Sequence, residues 1–193
     1  MDNIICPFQI PIYQSFIEED SFIQIKKDVN VFIDNNFNLF NNKWDCPTLT
    51  TQGVSIEQNI KSTKLIEEIQ YHVQNFWNIW EFATTKELCI GEMWVNISKK
   101  ESYQEIHDHG DYLFSGTIYT NVDNYSGNFV LQNPLSVENI LMRDSNILSK
   151  SYSITPKNSM IVLFPSWMQH RVSQNKSNID RISISFNIRA KIN

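Results

Sequence analysis

Near its C-terminus the chain reads RISISFNIR, with Ile182, Ile184, Phe186 and Ile188 alternating against Arg181, Ser183, Ser185 and Asn187. A period of two places these sets on opposite faces of an extended segment, whereas a helix at 3.6 residues per turn would scatter them around its axis. The chain must therefore build a sheet with an apolar face here. The polar face is either wetted at a sheet edge or buried for a reason. For the two serines alone an edge strand is the simpler account. Arg181 is different, because on a strand inside a sandwich it demands an anion, and its planar fork matches a carboxylate through two parallel hydrogen bonds.

The rest of the second half has the same character. Leu88 to Ser98, Tyr112 to Asn121, Gly127 to Gln132, Met160 to Phe164 and His170 to Ser173 are expected strands. They are separated by turn-forming runs such as Asp123-Asn124-Tyr125-Ser126-Gly127 and Gln174-Asn175-Lys176-Ser177-Asn178. The first half is helical in pattern. Phe22, Ile25, Val29 and Phe32 recur at spacings of 3, 4 and 3 in a helix that starts near Glu18. A second helix is expected from Ser55, where Ser55 and Gln58 have capping-box spacing, with a stripe of Ile66, Ile69, Val73, Phe76 and Trp80. His72 lies in that helix with no acidic or histidine residue at i+4 and reads as structural. The segment Pro7 to Tyr13, with two prolines in an apolar run, reads as an edge strand. Helices followed by many short strands imply an α+β, mainly β chain, with a sandwich or jelly-roll core and the N-terminal helices packed on one sheet. No linker-like segment interrupts its 193 residues, so one domain is expected over 1–193, with 1–87 the helical part and edge strand and 88–193 the β core.

Composition narrows the function. A formal charge of −5 with scattered Lys and Arg argues against nucleic acid or an anionic membrane as partner. Three cysteines, Cys6, Cys46 and Cys89, are far apart and in no metal-binding spacing, and the start has no basic region before its apolar residues, so a cytoplasmic protein is expected.

His107 and His109, in EIHDHG, are spaced to share one face of an extended chain, where two imidazoles can converge on one metal ion. Such a pair is weak evidence by itself. His170, far along in FPSWMQH, can add a third ligand and make a facial site with open positions for substrate or O2. Asp108 and Asp111 are alternative second ligands, but Asp108 should point to the opposite face from the histidines. Phe114, Phe164 and Trp167 are apolar residues expected near the pocket, with packing as their main role. The segments around Asp45 to Gly53 and Leu135 to Ser151 are expected to build its wall.

The ordered blocks HxH, SGxxYxN, SGxxxLxNP, FPSWxxH and RxSxSFN, spread over residues 107–187, closely resemble the 2-oxoglutarate- and Fe(II)-dependent oxygenase superfamily. They are most similar to its uncharacterised branch from phages and marine bacteria. The resemblance implies a double-stranded β-helix, with Fe(II) and 2-oxoglutarate as cofactors. It implies His107, His109 and His170 as catalytic metal ligands, Arg181 with Ser183 as the clamp on the distal carboxylate of 2-oxoglutarate, and Asn96 and Tyr119 as further contacts, with Trp94 on a flanking strand. The implied reaction couples decarboxylation of 2-oxoglutarate to hydroxylation of a C–H bond.

His109 stands where the superfamily usually has Asp or Glu, which leaves the ligand set neutral. Around Asn158-Ser159 a usual glycine is missing, and Asn can adopt the positive φ it would supply. A small-molecule or peptide substrate is expected, and the sequence leaves the oligomeric state open, with a homodimer as one form it allows. Two alternatives stand beside this one: a cupin-like metal dioxygenase that needs no 2-oxoglutarate, and a non-catalytic jelly-roll module.

Overall fold

A computed structural model describes residues 9–43, 45–54, 56, 60, 62–82, 87–134 and 150–191. Helix α1 (Glu19–Asn35) carries Glu19 and Asp20 in its first turn, where the helix dipole favours negative charge, and buries Ile25, Val29 and Phe32 with Phe22 packed beside them. Helix α2 (Thr63–Ile79) starts later than the spacing at Ser55 suggested. Its cap is Ser62, whose hydroxyl accepts the Leu65 N–H at 3.3 Å, and Ser55 and Gln58 lie outside the described residues. The buried face of α2 runs through Leu65, Ile69, Val73, Phe76 and Trp77, with Ile66 and Trp80 only half-buried at its margin. His72 is buried on the same face. Its ring nitrogen Nδ1 shares a 2.8 Å hydrogen bond with the Tyr13 hydroxyl, and its acidic neighbour is Glu68, one turn earlier at 3.6 Å.

Eleven strands among the described residues form two antiparallel sheets. In chain order they are β1 (Tyr13–Phe16), β2 (Asn41–Asn42), β3 (Thr48–Thr50), β4 (Leu88–Ser98), β5 (Gln104–His107), β6 (Phe114–Asn121), β7 (Phe129–Gln132), β8 (Ser151–Ile154), β9 (Met160–Pro165), β10 (His170–Val172) and β11 (Arg181–Ala190). The large sheet has the order β1-β9-β6-β11-β4-β3-β2 and the small one β5-β10-β7-β8. This is the jelly-roll arrangement, mostly β with two helices on one sheet. The edge strand falls at Tyr13–Phe16 rather than at Pro7 to Tyr13, whose first two residues lie outside the described part.

The alternating strand β11 is central, flanked by β6 and β4, and both its faces are covered. On one side Ile184, Phe186 and Ile188 join Met93, Val95 and Ile97 of β4 and Phe114 and Ile118 of β6 against the two helices. Burying each of the larger side chains contributes roughly 1.5–3 kcal/mol over leaving it in water. Gly116 lies on this face because a Cβ there would stand 2.5 Å from both Leu163 Cδ2 and Phe186 Cζ. Phe114 also faces the helices, 4.6 Å from the Phe76 ring, so it is not a pocket residue as the sequence suggested. A second core fills the space between the sheets, with Tyr119, Met160, Val162 and Phe164 from the large sheet meeting Phe129, Leu131 and Val172 from the small one. The positive φ near the start of β9 belongs to Ser159 (66°), not to Asn158, whose side chain instead accepts the Val122 N–H.

Candidate functional site

His107 closes β5, and in the antiparallel register it stands directly across from His170, the first residue of β10. Directly opposed residues share a face, so the two imidazoles meet, with ring centroids 4.3 Å apart. His109 arrives by another route than the strand pleat assumed from its spacing, since β5 has ended before it. The chain turns at Asp108–Gly110, where the Asp108 carboxylate accepts the Gly110 N–H and Gly110 takes a φ of 57°. The His109 N–H then donates to the Ser166 carbonyl at 2.9 Å. Asp108 is thus engaged in its own turn, and both Asp108 and Asp111 are exposed. Among the described residues, His107, His109 and His170 form a cluster whose ligand atoms all lie within 4.8 Å of one another.

The proton positions follow from the backbone. His107 Nδ1 donates to the Glu105 carbonyl at 2.7 Å, and His170 Nδ1 donates to the Met168 carbonyl at 2.9 Å. Each therefore turns an unprotonated Nε2 inward, the second-sphere pattern that orients metal-binding histidines. His109 Nε2 lies 3.2 Å from His170 Nε2. Two nitrogens each about 2.1 Å from one metal ion at a right angle stand about 3 Å apart. The gap accommodates a proton or a cation.

Burial resists the proton. It pushes all three imidazoles below their ordinary range, His109 to about 4 and His170 well down, with the charge of neighbouring histidines adding to the effect on both. For His107 the carbonyl of Glu105 and the charge of Asp108 work against burial without cancelling it. Three imidazoles that resist protonation and face one point are a donor set suited to a divalent first-row metal, the proton between His109 and His170 being the one it would displace.

The cluster opens into a cavity between the sheets whose far wall is the polar face of the large sheet. Arg181, Ser183 and Ser185 of β11 line it with Asn96 and Trp94 of β4 and Thr117 of β6. Arg181 is 4% exposed, and its Nε has no hydrogen-bond partner. Asn96 donates to the Ser185 hydroxyl at 3.2 Å while its Oδ1 is unpaired. Tyr119 sits one layer deeper, with its ring under the Arg181 guanidinium at 5.2 Å and its hydroxyl near Arg181 and Thr117 but in hydrogen-bond geometry with neither. Burial raises the Tyr119 phenol above its ordinary pKa, and the Arg181 charge opposes this. Buried polar atoms without partners are costly and ask for a ligand. An anionic molecule with several oxygens would accept from the Arg181 Nε–H and the Tyr119 hydroxyl, while Asn96 Oδ1, itself an acceptor, asks for a donor such as water. The arginine and tyrosine beside the imidazoles thus fit a metal with a dicarboxylate next to it.

All seven residues singled out in the sequence thus gather at one place. Phe164 is there too, while Trp167 is half-exposed at the turn before β10. Thr117 and Ser185 were overlooked although they share the faces of Tyr119 and Ser183, a signal available in the alternation. Gln104, the first residue of β5, and Gln52, on a loop in the anticipated Asp45 to Gly53 wall, had none beyond that general location. Most of the other anticipated wall, 135–149, lies outside the described residues.

Fold and donor set together define a jelly-roll metalloprotein, and comparison with known proteins says of which family. Residues 92–187 match the family model described as putative 2OG-Fe(II) oxygenase, and the chain belongs to this family of 2-oxoglutarate- and Fe(II)-dependent dioxygenases. Fe(II) and 2-oxoglutarate are accordingly its cofactors. No curated protein matches the sequence.

Solved structures match over nearly the whole chain at low identity. A prolyl hydroxylase from Trichoplax adhaerens, in complex with a hypoxia-inducible-factor peptide fragment, is 13% identical with a TM-score of 0.63, covering 93% of this chain and 82% of its own. The viral collagen prolyl hydroxylase of Paramecium bursaria Chlorella virus 1, in its 2-oxoglutarate complex, is 14% identical with a TM-score of 0.59, covering 94% and 96%. HygX from Streptomyces hygroscopicus, with nickel and 2-oxoglutarate bound, is 10% identical with a TM-score of 0.58, covering 93% and 82%. These similarities concern the fold. The family match sets aside the cupin-like and non-catalytic alternatives, and the comparisons do not bear on a phage or marine source. No helix among the described residues is long and apolar enough to cross a membrane.

Proposed function

We propose that the protein is a hydroxylase in which His107, His109 and His170 hold Fe(II) and Arg181 with Ser183 holds the distal carboxylate of 2-oxoglutarate. The observation that carries this reading is the convergence of three inward-facing imidazoles on a cavity that also contains a buried, incompletely paired arginine. When bound, Fe(II) and 2-oxoglutarate supply the oxidative chemistry, in which O2 converts 2-oxoglutarate to succinate and CO2 and a substrate C–H to C–OH. The protein's part is position and dryness. The Glu105 and Met168 carbonyls hold the δ-protons of His107 and His170, so that the ε-nitrogens of both are the acceptor atoms. Arg181 is set in place by the Tyr119 ring beneath it, and the Tyr119 hydroxyl and the Asn96 side-chain NH2 are the further donors to the cosubstrate. Phe129, Phe164 and Val172 form an apolar flank that excludes water.

The substrate we propose is a small molecule or a peptide. The solved relatives include a prolyl hydroxylase with a bound peptide and a HygX structure that also holds hygromycin B, while the charge of −5 disfavours nucleic acid. A cytoplasmic setting and a single domain over 1–193 belong to the same proposal, resting on cysteine use and the lack of any linker-like segment. The test is anaerobic loading with Fe(II), addition of 2-oxoglutarate and O2, and measurement of succinate with and without pools of candidate substrates. Succinate formation that requires Fe(II) and rises with one pool is expected. Absence of 2-oxoglutarate binding to the metal-loaded protein would refute the assignment.

A further inference from the structure

Three residues from the sequence blocks take no part in holding either cofactor: Ser115 of SGxxYxN, Ser166 of FPSWxxH and Asn187 of RxSxSFN. They come together in one buried chain of hydrogen bonds. Ser115 Oγ lies 2.7 Å from Asn187 Oδ1 and 2.8 Å from Ser166 Oγ, and Asn187 Nδ2 lies 3.3 Å from the Glu92 carboxylate. Ser115, Ser166 and Asn187 are at most 1% exposed, and Glu92 ends the chain at a half-buried position.

The carboxylate dictates the direction of every bond. An ionised carboxylate only accepts, so the Asn187 amide turns its NH2 toward Glu92 and its carbonyl toward Ser115. The single Ser115 proton goes to that carbonyl, which obliges Ser166 to donate to Ser115. All donors point toward Glu92, and no member of the chain can rotate alone without breaking a bond.

What this chain fastens is the turn between β9 and β10. Ser166 there presents its backbone carbonyl to the His109 N–H at 2.9 Å. The same turn, closed by the Met168 N–H on the Pro165 carbonyl at 2.9 Å, presents the Met168 carbonyl to His170 Nδ1. One short segment therefore anchors the backbone of one imidazole and the ring of another.

We propose that the Glu92–Asn187–Ser115–Ser166 chain is a positioning device that fixes the Pro165–Met168 turn and so sets the separation of His109 and His170. It acts through the turn and touches neither cofactor. The idea rests on the assignment of those histidines as ligands, so the experiment separates the two. Co(II) serves as probe, with affinity and visible absorption measured on the full chain and the melting temperature taken without metal.

Ser115→Ala is expected to weaken Co(II) binding about ten- to a hundredfold, the usual cost of losing an outer partner of a metal site, and Ser115→Thr, which keeps the hydroxyl, is expected to recover most of it. Ser115→Ala with a lowered melting temperature but wild-type Co(II) affinity overturns the proposal, since the chain would then only support packing. Glu92→Ala carries the test if Ser115→Ala does not fold, because its site is half-exposed: weaker Co(II) binding is expected, and unchanged binding overturns the idea. His109→Ala is the control on the underlying assignment: an unchanged Co(II) spectrum and affinity there would show that His109 is not a ligand, whatever the serine variants do.

Discussion

Arg181 offers the sharpest measurement because its two roles pull in opposite directions. It is 4% exposed with Nε unpaired, so its desolvation is settled before any cosubstrate arrives. A carboxylate taken into its fork gains two charge-assisted hydrogen bonds, each worth about 1.5–3 kcal/mol. Water entering the enlarged cavity of an Arg181→Ala variant recovers part of this, which brings the net loss to about 2–5 kcal/mol. In affinity that is about 30- to 5,000-fold. The assay is isothermal titration of 2-oxoglutarate into anaerobic Co(II)-loaded protein. Meanwhile Arg181→Met, with an apolar side chain of similar length, is expected to leave the ligand-free protein at least as stable as wild type, because a buried and partly unpaired charge is a cost to the fold. A variant that loses stability while binding 2-oxoglutarate within threefold of wild type would refute both the clamp and the account of its cost.

Further outcomes follow from other parts of the molecule. His170→Ala should abolish stoichiometric Fe(II) binding by anaerobic dialysis and metal analysis, and retention of one equivalent counts against the three-histidine site. His72 is held below its ordinary pKa by burial, with Glu68 opposing. The unfolded chain therefore takes up a proton near pH 6.5 that the folded chain resists, so this residue's support for the fold is complete above pH 6.5 and declines as the pH falls below it. In the presence of chelator, His72→Gln should show a shallower drop in melting temperature from pH 6.5 downward, and parallel curves would dismiss the effect. Gly116→Ala forces a methyl against Leu163 and Phe186 and should cost about 1–3 kcal/mol. At about 2–4 °C per kcal/mol for a chain of this size the melting temperature should fall visibly, and an unchanged value means the face can yield.

The sequence was most legible where periodicity was long. Strand β4 begins and ends where its apolar run does, and β11 could be recognised from alternation alone, although its burial on both faces could not, because alternation is blind to what covers the polar side. The short strands β2, β3, β5 and β8 escaped because two to four residues such as Thr48-Leu49-Thr50 or Ser151-Tyr152-Ser153 contain too little pattern, and their pairing comes from neighbours distant in sequence. The capping signal at Ser55 and Gln58 competed with Ser62, where the hydroxyl meets the backbone three residues on. Six of the seven candidate site residues could be singled out because each sits in a distinctive block, and Asn96, which lies outside the blocks, from its place on β4. What joins Ser115, Ser166 and Asn187 was not, since hydrogen bonding between residues 51 and 72 positions apart has no local signature. The close of the β5 strand before His109 was equally invisible, as its i, i+2 spacing fits a turn as well as a pleat.

The opening between the sheets has a consequence for the life of the molecule. His107 and His170 stand on the small sheet, Arg181 and Ser183 on the large one. In the proposed assignment a metal and cosubstrate held by all four would act as a bolt through the two layers, and a ligand bound only by the folded state adds RT ln(1 + [L]/Kd), about 2.7 kcal/mol at a hundred times Kd. Loading with metal and 2-oxoglutarate is therefore expected to raise the melting temperature and slow proteolysis of the chain, an effect on its persistence separate from any effect on turnover.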